Sequence, residues 1–418
     1  MWSKGIEPFL RLDPGAIWRH FKGETFAFKM ICIYLVFEYV RPQSIMPQFD
    51  IIPWSQTFII LSAIGLLVEK KKVLTSDPAT KWMLLFFVAI LICSYTAYFP
   101  EYSWNRLINF YSWLIIYFLI INIVNTRERL IIFLIIFFLA SFKLSLFGAK
   151  TWAMRGFSFT SWGMMGPPGF FQNSGELAIQ MIIFTFLSYQ FIQIIKNWIS
   201  RNLYIALLLL LPMTGFMTIM ASSSRGGQLA FLIAAAFYFK SKINFTNLTA
   251  AVLVGVLFWN LMPEEQMQRF EQMGEDESSQ QRLLYWENGI EMWKENKWAG
   301  VGYYNFQPYF EKNYPEDILS YKGAELPHNI FIQILTDLGL VGMIPYLFLI
   351  KNTFLKHRKR NEGTMTHEFA NGFNAAIIGF YIAGQFVSVV YYPFMWIHLA
   401  FVVCIRNISS RYSSPAVA

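Results

Sequence analysis

Three groups of residues in the sequence have the types and spacing to act on an anionic substrate. The first is Ser222-Ser223-Ser224-Arg225-Gly226-Gly227, at the start of an apolar run. The free N–H groups and dipole of such a helix start attract anions, and Arg225 adds a permanently charged fork that fits phosphate oxygens. The alternative for Arg225 is an interfacial arginine reaching to water. The second is Arg282, in the first turn of an expected helix, with a solvated charge paired to Glu277 or Asp276 as its alternative. The third is Pro327-His328-Asn329, where a polar segment re-enters an apolar run. A histidine there can take a proton from a hydroxyl; its alternative is a hydrogen-bonded interface residue.

Several chemistries lack a basis. The sequence has no Walker loop, no HExxH and no CxxC, and Asp50 stands without an acidic neighbour. ATP hydrolysis, zinc hydrolysis and a metal-dependent diphosphate clamp are therefore not expected. Cys32, Cys93 and Cys404 lie far apart in apolar segments and form neither a disulfide framework nor a metal pattern.

The elements that must position these residues are membrane helices. Hydrophobic residues make up 55% of the chain and charged residues 14%, against about 25% charge in a soluble domain. A span needs about 20 mostly apolar residues. Twelve runs qualify or nearly so: 25–41, 51–69, 82–99, 106–124, 128–147, 176–195, 202–220, 225–240, 244–262, 329–350, 369–389 and 391–406. With both ends in the cytoplasm, inner segments carry 21 Lys and Arg and the short outer loops only five, Arg41, Arg106, Lys150, Arg155 and Arg225. That is the positive-inside pattern. It accounts for the net charge of +8 without nucleic acid. The first run has no cleavage site, so it is expected to stay as an anchor.

The expected fold is thus all-α: about twelve transmembrane helices with a helical outer lid between spans 9 and 10. The segments are 1–262 (spans 1–9), 263–328 (the outer loop) and 329–418 (spans 10–12 and a cytoplasmic tail). The outer loop holds 13 of the 26 acidic residues and six basic ones. Within it, Ser279–Trp298 reads as a helix with Leu283, Trp286, Ile290 and Trp293 on one apolar stripe, capped by Ser278 or Ser279 and ended by Gly300-Val301-Gly302. Tyr303, Tyr304, Phe306, Tyr309 and Phe310 follow, either buried against the bundle or offered as a stacking surface for sugars. Asp337 lies about nine residues into the tenth run, roughly 13 Å deep. Its expected role is structural, in a segment whose glycines, Gly339 and Gly342, permit close packing. His398 is expected to be hydrogen-bonded within the bundle.

The ordered set Ser224-Arg225-Gly226-Gly227, Arg282 with Trp286, Gly300-Val301-Gly302, Pro327-His328-Asn329 and Asp337-Leu338-Gly339 resembles the O-antigen ligase family. That family is grouped with O-antigen polymerases and protein O-oligosaccharyltransferases. Glu38-Tyr39-Val40-Arg41-Pro42-Gln43 is similar to a segment of exopolysaccharide-associated members.

The resemblance implies an inner-membrane glycosyltransferase of lipopolysaccharide or polysaccharide biosynthesis, with its site on the periplasmic face. It implies an undecaprenyl-diphosphate-linked glycan as donor and lipid A–core, a growing glycan or a protein hydroxyl as acceptor. It assigns Arg225 and Arg282 to the donor diphosphate and His328 to catalysis, with no metal and no cofactor. Arg41 and Arg155 are further outer arginines that could touch the donor. Ligase is favoured over polymerase. A polysaccharide-lipid transporter is the competing class, but no paired halves or midplane charges support it.

Overall fold

The computed structural model describes residues 2–69, 77–160, 163–242, 267, 276–319, 323–356 and 362–413. The ninth apolar run, 244–262, lies outside them, as do Lys70, Lys71, Lys72, His357, Arg358, Lys359 and Arg360 of the inner segments and most of 263–275.

The described residues fold into helices and loops, with no strand among them. Eleven of the twelve apolar runs fall on helices. In chain order these are α1 (Phe26–Tyr39), α2 (Trp54–Val68), α3 (Pro78–Tyr95), α4 (Pro100–Ile123), α5 (Arg127–Met154), α6 (Ser174–Ile195), α7 (Arg201–Ala221) and α8 (Arg225–Phe239). After α9 (Glu277–Glu295) and α10 (Phe306–Asn313) come α11 (Ile330–Asn352), α12 (Met365–Ala383) and α13 (Pro393–Ser413).

Among the described residues, seven helices, α3, α4, α5, α6, α7, α11 and α13, are long and apolar enough to cross a membrane. Helices α1, α2 and α8 have 14, 15 and 15 residues. They rise roughly 21–23 Å at 1.5 Å per residue, short of a hydrocarbon core about 30 Å thick.

Helix α6 is the hub. It is buried almost along its length and packs on α12 and α7, while α5 backs α7 and α8 lies against α12. Small residues set these approaches. Gly148 faces Thr218 between α5 and α7, Gly215 faces Thr185 between α7 and α6, and Gly379 faces Ile182 between α12 and α6. Such contacts let helices associate where lipid removes the hydrophobic drive.

Helix α9 starts where the sequence suggests but buries a different face. Its cap is Asp276, whose Oδ1 accepts from Ser279 N–H at 3.1 Å. The hydroxyls of Ser278 and Ser279, the expected caps, instead donate to that carboxylate. The buried residues are Gln281, Tyr285, Asn288, Gly289 and Met292, whereas Leu283 and Ile290 of the expected stripe are 49% and 41% exposed. The polar members of the buried face are satisfied. Gln281 donates to Asp317 O at 2.8 Å and accepts from Leu319 N–H at 2.7 Å, and Asn288 donates to Asp317 Oδ2 at 2.6 Å. Tyr303, Tyr304, Phe306, Tyr309 and Phe310 are all buried, which favours the packing reading of that stretch over a sugar-stacking surface.

The end of α9 is tied to a break in α11. Gly339 has φ 55° and ψ −153°, a conformation essentially limited to glycine. The break frees backbone groups of α11, and the chain after α9 engages them. Leu340 N–H donates to Lys297 O at 2.9 Å, Val341 N–H to Trp298 O at 3.0 Å, and Val301 N–H to Thr336 O at 2.7 Å. Beside the break, Asp337 accepts from the Tyr391 hydroxyl at 3.1 Å. Its carboxyl also faces the backbone N–H groups of Tyr304, Asn305 and Phe306 at the start of α10. These contacts tie Asp337 to the start of α10 and to Tyr391, in keeping with the packing role expected for it.

Candidate functional site

Four helix N-termini meet around one cavity of about 310 Å³. Helix α8 contributes Ser223, Ser224, Arg225 and Gly226; α6 contributes Asn173, Ser174 and Gly175; α9 contributes Ser278, Gln281, Arg282 and Tyr285; and the approach to α11 contributes Glu325 and His328. Gly163, Phe386 and Val387 complete the wall. The three residues singled out in the sequence, Arg225, Arg282 and His328, therefore line one space although 103 residue numbers separate the first from the last.

Local sequence explains each placement. Ser224 caps α8 by accepting from Gly227 N–H at 3.2 Å, so Arg225 is the first residue of the helix. A Cβ at Gly226 would run into Phe386, and one at Gly175 into Val387. These glycines bring the starts of α8 and α6 up against the 386–387 turn. Asn173 and Glu176 form a capping box at the start of α6. Asn329 caps α11 by accepting from Phe331 and Ile332 N–H at 2.9 and 3.2 Å. His328 precedes that cap with φ 53°, an uncommon conformation for a residue with a side chain. It is over-determined: His328 N–H donates to Ser388 Oγ at 2.8 Å, and Trp286 Nε1 donates to Pro327 O at 2.8 Å.

The electrostatics hold two carboxylates that the sequence reading did not assign. Asp276 pairs with Arg225, Nη2 to Oδ2 at 3.1 Å, rather than with Arg282. Burial pushes the Asp276 carboxyl up, but hydrogen bonds from Ser278, Ser279 and Arg225 outweigh it and hold the group well below the usual carboxylate range. Glu325 lies 2.9 Å from His328 Nε2. That hydrogen bond lowers the Glu325 carboxyl below its usual value against the cost of burial, and the Arg282 charge adds to the effect. The signal for Glu325 was its place three residues before His328; with Leu326-Pro327 between them, no helical spacing drew attention to it. Among the described residues, no group of three or more His, Cys, Asp or Glu is arranged to hold a metal ion.

Arg41 and Arg155 are not in the cavity wall. The Arg41 guanidinium donates to Pro168 O and covers Gly169, while Arg155 is exposed at the end of α5. His398 is buried in the bundle with Nε2 at 3.2 Å from Thr353 O, as expected.

A cavity with two guanidiniums, four helix starts and a histidine is suited to an anionic leaving group and a proton in transit. Residues 205–347 match the O-antigen ligase family model. The match runs from α7 into α11 and includes Arg225, Arg282, Trp286, His328 and Asp337, and it is consistent with the O-antigen ligase family read from the sequence. No curated protein matches the chain. With the apolar helices, the O-antigen ligase match supports a multi-pass membrane protein and a glycosyltransferase-like enzyme of the ligase and polymerase superfamily. That family implies a lipid-linked glycan, an acceptor and membrane lipids as partners.

Proposed function

We propose that the chain transfers a glycan from an undecaprenyl-diphosphate donor to a hydroxyl of lipid A–core, as an O-antigen ligase does, at the periplasmic face of the inner membrane. The observation that carries this reading is the convergence of Arg225, Arg282 and His328 on one cavity. In this reading the chain spans the membrane twelve times with both termini inside, and 263–328 is a periplasmic lid.

Arg225 and Arg282 hold the donor diphosphate. As the bond from the anomeric carbon to phosphate oxygen breaks, its electron pair goes to the diphosphate. The two guanidiniums, helped by the starts of α6 and α8, stabilise that charge. His328 accepts the proton of the acceptor hydroxyl as its oxygen bonds to the anomeric carbon. A single displacement inverts that carbon, and no step requires a metal.

The test incubates purified protein with undecaprenyl-diphosphate glycan, EDTA and, separately, lipid A–core, glycan repeats and protein acceptors. The reading expects glycosylated lipid A–core in the presence of EDTA and no product from His328→Ala. Elongated glycan alone would make the chain a polymerase. Normal transfer by folded His328→Ala would remove the base assignment.

A further inference from the structure

We propose that Glu325 is a positioning residue that fixes the His328 ring in one tautomer and so makes Nδ1 the atom that takes the acceptor's proton. This rests on the reading of His328 as the base. The geometry is an Oε2–Nε2 contact of 2.9 Å between Glu325 and His328. An ionised carboxylate has no proton to give, so Nε2 must be the donor. The neutral ring then carries its lone pair on Nδ1.

The backbone around the pair is pinned. Ser388 holds His328 N–H, Trp286 holds Pro327 O, and the Tyr285 hydroxyl accepts from Glu325 N–H at 2.8 Å. On the ring itself, the hydrogen bond to Glu325 Oε2 fixes which edge Nε2 presents. Tyr285 and Trp286 belong to α9, one turn beyond Arg282. The helix that presents an arginine to the leaving group thus also sets the backbone of the base and its partner.

In the transfer step the hydroxyl oxygen bonds to the anomeric carbon and the carbon–phosphate oxygen bond breaks toward the diphosphate. The proton moves to Nδ1. Glu325 stays ionised and faces the imidazolium charge that appears. The Glu325 side chain is 46% exposed, so water screens part of its effect. The expected contribution is about tenfold, below the roughly 10²–10⁴-fold of a general base itself.

The experiment measures initial rates of Glu325→Ala, Glu325→Gln, Glu325→Asp, His328→Ala and the double variant Glu325→Ala/His328→Ala. The full-length protein is used, with undecaprenyl-diphosphate-linked O-antigen and lipid A–core as substrates. Glu325→Ala should lower kcat about tenfold with the donor KM within twofold of the parent. Glu325→Gln, which keeps an acceptor oxygen but no charge, should fall between, and Glu325→Asp should recover part of the loss. Glu325→Ala should cost nothing further on the His328→Ala background.

A normal kcat for Glu325→Ala with His328→Ala inactive overturns the proposal and leaves the base assignment standing. A fall in donor KM at unchanged kcat also overturns it, because Glu325 would then be restraining Arg282. Normal transfer by His328→Ala removes the base reading and this proposal together.

Discussion

Asp276→Asn separates two accounts of the Arg225 ion pair. Asp276 engages the Arg225 fork at 3.1 Å, the group assigned in the proposed function to the donor diphosphate. If the phosphate displaces the carboxylate, the donor must first overcome that pair. The partners are 21% and 30% exposed, and an ion pair so placed is worth about 1 kcal/mol. Asparagine removes the charge but keeps an acceptor for Ser279 N–H, and it caps helices as well as aspartate does. The substitution thus destabilises the free state by about 1 kcal/mol and spares the donor-bound state. A difference of 1 kcal/mol is roughly fivefold in affinity. The donor KM, read from initial rates at saturating lipid A–core, should fall about fivefold with kcat unchanged. Asp276→Ala is the control: it also loses the cap, about 1 kcal/mol at the start of the helix that carries Arg282, and should gain less. A donor KM that rises in well-folded Asp276→Asn refutes the displacement account and makes Asp276 the support that aims Arg225.

Arg225→Lys and Arg282→Lys should each raise the donor KM about tenfold, because an ammonium cannot offer the paired donors of a guanidinium; unchanged kinetics would remove that arginine from the diphosphate site. Gly339→Ala places a Cβ against the Trp298 backbone at φ 55°, adding about 1–3 kcal/mol of strain, so Tm should drop and proteolysis within 276–319 should quicken, whereas an unchanged Tm would show that the break in α11 is not required. The Asp276 carboxyl is held below its ordinary value in the fold, so its ion pair stabilises the protein above the unfolded value of about 3.9 and is lost as pH falls below it. The Tm gap between parent and Asp276→Asn should therefore be present at pH 7 and shrink progressively as pH falls from about 4 toward the lowered folded value; a gap that does not change with pH would mean the stabilisation is not ionic.

The bundle was legible because hydropathy reports on lipid-facing and buried helices alike: eleven apolar runs fall on helices. The site was legible for a related reason. A chain with 14% charge has few charged residues to place, and two of those assigned to the outer side, Arg225 and Arg282, line one cavity with His328. What escaped were features that depend on partners rather than on residue type. On α9, residue size pointed to Leu283 and Ile290, but the buried face includes Gln281 and Asn288, whose polar atoms are satisfied by the 317–319 turn. Burial of paired polar groups carries no hydropathy signal. The break at Gly339 escaped likewise, since an apolar run containing glycine reads as a continuous helix until another chain segment fills the interrupted ladder.

Those two missed features account for how 276–328 can act on the site. At its α9 exit the segment exchanges three backbone hydrogen bonds with the α11 break and places the start of α10 on Asp337. Backbone bonds of this kind are insensitive to side-chain charge and give the segment a fixed base. At its α9 entry Asp276 pairs with Arg225 of α8, an ion pair that an incoming anion can replace. In the proposed reaction the donor diphosphate replaces the Asp276 carboxylate at Arg225, with Arg282 lining the same cavity. His328 and Glu325 are held through Tyr285, Trp286 and Ser388, so the helix that presents Arg282 also sets the place of the proton acceptor.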